Sequence, residues 1–127
     1  MKGIGPAHVA LNTHFNVIFV ANYGSGSVVA YSIDPTTGKM ADKPLYFEKF
    51  LHGSGVDPDR QEASHPHGSF FFEDNVYVTD LGADMIRHYK ACMGLNWLHG
   101  FDMHNNWNIS SIHILQDKLR SGRFCLR

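Results

Sequence analysis

The sequence predicts an all-β chain built of about two four-stranded antiparallel units, and three observations carry that prediction. Short runs rich in β-branched and aromatic residues follow one another closely, turn residues separate them, and no convincing amphipathic helix interrupts residues 1–91. The first run is 8–11 (HVAL) and the second is 16–22 (NVIFVAN). A glycine turn, Tyr23-Gly24-Ser25-Gly26, leads into 27–33 (SVVAYSI). Residues 34–39 (DPTTGK) form a turn by composition, because proline presets φ and glycine supplies a positive-φ position. Residues 44–51 (PLYFEKFL) complete the unit as a fourth strand.

The pattern then recurs. Val20-Ala21-Asn22-Tyr23-Gly24 answers to Val78-Thr79-Asp80-Leu81-Gly82, and Tyr31 answers to Tyr89, each 58 residues on. His8 answers to His67 at 59, one residue of slip. A four-stranded unit repeated at this length reads as a propeller blade with a long connection. The expected organisation is a partial propeller over residues 1–93, with units at about 6–51 and 66–91 joined by a loop at 52–65. Residues 94–127 form a divergent tail, partly helical or disordered, with a short helical stripe at Ile112, Leu115 and Leu119. In a meander the start of strand one and the end of strand two share an edge. His8, Asn22 and Tyr23 therefore belong on one rim, as do His67, Asp80 and Gly82, and strand one of a blade lines the central channel.

Composition narrows the function classes. The net charge of −1, with 18% charged residues, gives no footprint for nucleic acid or an anionic membrane. At 43% apolar and 13% aromatic the 127-residue chain is not disordered by composition. Cys92 and Cys125 form neither a disulfide framework nor a metal-ligand spacing. Residues 1–20 hold no continuous apolar signal region and no membrane span, so the expected setting is the cytoplasm. Nine histidines are the one oddity.

The densest polar segment is 52–68, HGSGVDPDRQEASHPHG. A connection of this length inside a compact unit is functional or disordered, and a plain solvated loop is the alternative. Three chemistries compete for it. His65 and His67 project to one side of an extended chain, a spacing that suits one metal ion, although no second cluster supplies further ligands. A histidine could serve as general acid/base, with Arg60 gripping an oxyanion or a phosphate. Or Arg60 pairs with Asp59 or Glu62 and only holds the loop. No G-x-S-x-G elbow is present, and Gly24-Ser25-Gly26 opens a strand, which argues against a phosphate-cradling loop.

The stretches GIGPAHVALN, FVANYGSGSVVAYSID, HGSGVDPDRQEASHPHG and VYVTDLGAD, in that order over residues 3–90, resemble the lactonase-type seven-bladed β-propellers. That family includes 6-phosphogluconolactonases and a muconate-lactonizing enzyme. The resemblance implies cofactor-independent hydrolysis of a sugar-acid lactone, 6-phosphoglucono-1,5-lactone above all. It places His67 at the family's proposed catalytic position, with Arg60 holding negative charge. Gln61, His65, His8, Asn22 and Asp80 fall on substrate-binding positions, and no metal is implied. The partner implied is a small lactone, with neither nucleic acid nor membrane, and with the blades absent from this chain. After Lys90 the family pattern stops, so a truncated chain, inactive or aggregation-prone alone, is expected. A non-catalytic propeller-type binding module and a lactonizing cycloisomerase on the same scaffold are the alternatives.

Overall fold

The computed structural model describes residues 2–91 and the strand at 98–103, and it is all-β. One four-stranded sheet comprises β1 (Pro6–Asn12), β2 (Val17–Asn22), β3 (Ser27–Ser32) and β4 (Tyr46–Lys49), in that order. The second comprises β5 (Pro66–Phe72), β6 (Asn75–Asp80), β7 (Met85–Ala91) and β8 (Leu98–Met103), again in order. Every neighbouring pair is antiparallel, so each sheet is a simple meander, as a propeller blade requires. Three of the second blade's strands fall within 66–91. Its fourth, β8, lies inside the stretch expected to be tail, while Ile112, Leu115 and Leu119 lie outside the described residues.

Ladder register bears on the repeat directly. Tyr31 stands opposite Ile18 and Tyr89 opposite Val76, so both members of the pair move on by the same 58 residues. The histidine correspondence does not hold. Both first strands open with a register shift, between Pro6 and His8 and between Pro66 and Gly68. His67 is therefore the bulge residue, equivalent to Ala7, and His8 is equivalent to Gly68. One slipped residue sends successive side chains of a strand to opposite faces, so the two histidines do different things.

The core lies between the blades. Phe19, Ala21, Val28 and Ala30 of the first sheet meet Val76, Val78 and Tyr89 of the second, all buried. Burying the Phe19, Val28, Val76 and Val78 side chains fully stabilises by about 1.5–3 kcal/mol each. The polar end of Tyr89 is satisfied: its hydroxyl donates to Glu48 Oε2 at 3.1 Å, and Tyr46 donates to the same oxygen at 2.5 Å. Burial, reinforced by the Glu48 charge, pushes the Tyr89 phenol far up. On the opposite face of the first blade, Val20, Val29 and Tyr31 form a second cluster with Ile18 and Phe47. Lys2 folds over it, its backbone N–H donating to Tyr31 Oη at 2.8 Å and its Nζ lying 4.1 Å above the Phe47 ring. The outer faces stay open at the first strands, where Val9 and Leu11 on one side and Phe70 and Phe72 on the other are each more than half exposed.

Candidate active site

The bulge that opens β5 aims His67 outward into a cleft. Bulges re-aim single side chains in this way. The cleft holds about 480 Å³, and its lining includes Arg60, His67, Thr79, Asp80, Asp84 and Ile86. His67 is exposed, and its ring contact is edge-on to Tyr23, with centroids 6.0 Å apart at 84°. Arg60 is also exposed. Among the described residues its guanidinium pairs with neither Asp59 nor Glu62; Glu62 instead pairs with His65 at 2.9 Å. Arg60 and His67 thus face one space with their polar groups uncommitted.

The loop that carries Arg60 is tightly built. Gln61 Oε1 accepts from the Asp57 N–H at 2.7 Å, while Nε2 donates to Leu81 O at 3.0 Å and Asp84 Oδ1 at 2.5 Å. Its amide is therefore fully used in fastening the loop to the β6–β7 turn. Ser54 adds two bonds, its N–H to Gly82 O at 2.7 Å and its Oγ to Asp84 Oδ2 at 2.6 Å. The approach is so close that a Cβ on Gly53 would stand 2.1 Å from Gln61 O, and one on Gly82 would stand 1.8 Å from Ala63 O. Only glycine permits such contact between two backbones.

Asp80 lines the cleft but spends its carboxylate inward. Its Oδ1 accepts the N–H groups of His65 at 2.8 Å and Ala83 at 3.1 Å. Its Oδ2 accepts Arg87 Nε at 3.0 Å, Arg87 Nη2 at 2.8 Å and the Ser64 hydroxyl. The buried Arg87 also lies 3.5 Å over the Phe50 ring, linking the ion pair to the first blade. Asp80 accordingly organises the loop end and the blade junction.

The other residues singled out in the sequence lie away from this cleft. His8 faces the second blade, where the Ser69 N–H reaches its Nδ1 at 3.3 Å and Ser69 Oγ lies 3.2 Å from the same atom. Taking that N–H makes Nδ1 an acceptor and leaves the ring proton on Nε2. Asn22 is 1% exposed beneath the amino-terminal segment, with Nδ2 donating to Ser27 Oγ at 3.3 Å and to Lys2 O at 3.5 Å. A Cβ on Gly3 would meet Asn22 Nδ2 at 2.3 Å, so this cover is close. His65 engages Tyr23 O through Nδ1 at 3.0 Å and Glu62 through Nε2, which leaves neither nitrogen for a metal shared with His67. Among the described residues no three His, Cys, Asp or Glu side chains are placed to hold a metal ion.

Sequence reasoning passed over Asp84, the anchor of Gln61 and part of the cleft lining, and Arg87. Asp84 carried a signal, since it closes the DLGAD turn. Arg87 carried none, being a strand residue whose partner is seven positions away.

The comparisons with known proteins agree with this architecture. The family model described as "Lactonase, 7-bladed beta-propeller" matches residues 1–99. A protein of Arthroderma benhamiae named "Probable 6-phosphogluconolactonase" is 37% identical over 97 residues, covering 74% of this chain and 24% of that protein. A 6-phosphogluconolactonase of Formosa agariphila is 31% identical over 96 residues, covering 74% of this chain and 26% of its own length. The crystal structure of a candidate 6-phosphogluconolactonase from Bacteroides uniformis superposes with a TM-score of 0.63 at 25% identity, over 76% of this chain and 27% of that one. The chain thus spans about a quarter of the length of the curated relatives it matches. With paired meander blades, a bulged first strand and a docked inter-blade loop, the chain belongs to the lactonase family of seven-bladed β-propellers.

Proposed function

We propose that these two blades supply part of the active site of a sugar-acid lactonase whose substrate is 6-phosphoglucono-1,5-lactone. The observation that carries the reading is the cleft in which Arg60 and His67 stand with uncommitted polar groups while Glu62, Asp80 and Asp84 are each tied to protein partners. The names of the relatives point to the same substrate.

In this reading His67 removes a proton from a water molecule, whose oxygen attacks the lactone carbonyl carbon. The carbonyl oxygen becomes an oxyanion, and the Arg60 guanidinium stabilises it. Collapse breaks the bond to the ring oxygen, which takes the proton back from His67 and leaves as the hydroxyl of the opened acid. No oxidant, metal or cofactor enters this balance. The remaining blades would close the channel around the substrate, and no nucleic acid or membrane takes part. The described residues contain no helix long and apolar enough to cross a membrane, and a cytoplasmic setting in carbohydrate metabolism goes with the reading.

The test is a chimera in which residues 1–99 replace the matching quarter of the Arthroderma relative. It should open 6-phosphogluconolactone faster than the spontaneous reaction, and H67N or R60A should lower kcat by about 10²-fold or more. Unchanged turnover in both variants would refute the reading.

A further inference from the structure

We propose that Glu62, His65 and Tyr23 form a cationic clasp that holds the Arg60 loop against the first blade, making His65 a positioning residue and not a substrate contact. The purpose of the clasp rests on the cleft being the working site, but its existence does not.

His65 is anchored on both sides of the blade junction. Its backbone belongs to the second blade, with its N–H on Asp80 Oδ1 at 2.8 Å and its carbonyl accepting from Leu81 N at 3.1 Å. Its side chain reaches the first blade, where Nδ1 lies 3.0 Å from Tyr23 O and the imidazole stacks on the Tyr23 ring at 4.3 Å and 15°. Its second nitrogen, Nε2, lies 2.9 Å from Glu62 Oε1, two positions after Arg60 in the loop. Both partners are acceptors without a hydrogen to give. A neutral imidazole carries one N–H and can satisfy only one of them, whereas imidazolium donates to both. The side chain is only 12% exposed, so water does not readily replace a lost arm.

Charge around the ring agrees with this. The Tyr23 carbonyl raises the His65 pKa above its ordinary value of 6.5, burial opposes it, and the Glu62 hydrogen bond with the charges of Glu62 and Asp80 adds to the rise. Glu62 is correspondingly held below the usual carboxylate range by its bond to His65. Asp80, the other acidic group facing His65, is itself paired with Arg87, and His67 meets the clasp through the Tyr23 ring. A histidine with a raised folded-state pKa contributes stability fully below about pH 6.5, and the contribution is lost as pH rises through the raised value. Alkaline pH should therefore open one arm, loosen the loop that bears Arg60 and alter the ring that His67 rests on.

The experiment is a pH titration of the 127-residue chain carrying nitrogen-15 in its histidine rings, read by NMR without any turnover assay. His65 should show a midpoint above 6.5 with both ring nitrogens protonated below it, and amide exchange of residues 60–65 should quicken beyond its intrinsic base-catalysed rise as pH passes through that midpoint. E62Q, an exposed change that leaves the fold intact, should lower the His65 midpoint and speed amide exchange of residues 60–65 several-fold. A His65 midpoint at or below 6.5, or an E62Q chain with unchanged midpoint and exchange, overturns the clasp. A titrating His65 whose deprotonation leaves the amide exchange of residues 60–65 at its intrinsic pH dependence overturns its positioning role. None of these outcomes depends on whether the cleft hydrolyses a lactone.

Discussion

Replacing Gly82 by alanine should detach the inter-blade loop from the β6–β7 turn. The added Cβ would stand 1.8 Å from Ala63 O, 2.8 Å from His65 N and 2.9 Å from Ala63 C. All three are backbone atoms, so no side chain can swing aside and the loop itself must move. Three hydrogen bonds depend on the approach: Ser54 N–H to Gly82 O at 2.7 Å, Leu81 N–H to His65 O at 3.1 Å, and His65 N–H to Asp80 Oδ1 at 2.8 Å. At about 1 kcal/mol net each, their loss amounts to about 3 kcal/mol. With a urea slope of about 1.5 kcal/mol per molar, the unfolding midpoint should fall by about 2 M. Exchange at the Leu81 and His65 amides should accelerate by about a hundredfold, the factor that corresponds to that free energy. Gly55 is the control, since a Cβ there meets nothing within 4 Å but its φ is +70°. Gly55→Ala should cost only the left-handed conformational penalty, about 1 kcal/mol. If Gly82→Ala is no more costly than Gly55→Ala, the close approach does not hold the loop.

Two further predictions concern buried polar groups. Asp80→Asn puts an amide where two guanidinium bonds and a hydroxyl converge, and should destabilise by about 3–5 kcal/mol in the same urea assay. The double change Asp80→Asn with Arg87→Met should cost less than Asp80→Asn alone, because the buried cation is gone and an apolar stem still covers Phe50. His88, 2% exposed and stacked on Tyr77 at 4.9 Å, has its pKa held below 6.5 by burial. The unfolded chain therefore binds that proton more readily, so stability is full above about pH 6.5 and falls as pH drops through the depressed value. Tm measured between pH 7 and pH 5 should decline in the parent chain, and less steeply in His88→Gln.

The amino-acid sequence alone determined the all-β class, the position of nearly every strand in residues 1–91 and the 58-residue repeat. These are local properties: β-branched runs, turn residues and alternation leave their mark within a few positions. It also marked the loop at 52–65 and placed Arg60 and His67 in it or beside it, because polar density and glycine spacing are visible along the chain. Tertiary structure decided what each of those residues touches. His67 sits on the bulge between Pro66 and Gly68, whereas His8 follows the equivalent bulge after Pro6, which sends the first into the cleft and the second toward Ser69. The family resemblance implies substrate-binding positions for Gln61, His65 and Asp80, and the fold uses hydrogen bonds of these residues on Leu81, Tyr23 and Arg87. Those partners lie 20, 42 and 7 residues away, a separation at which residue type no longer says which donor meets which acceptor. A composition can show that polar groups are present, but only the fold shows which of them the protein has already satisfied and which it leaves for something else to bind.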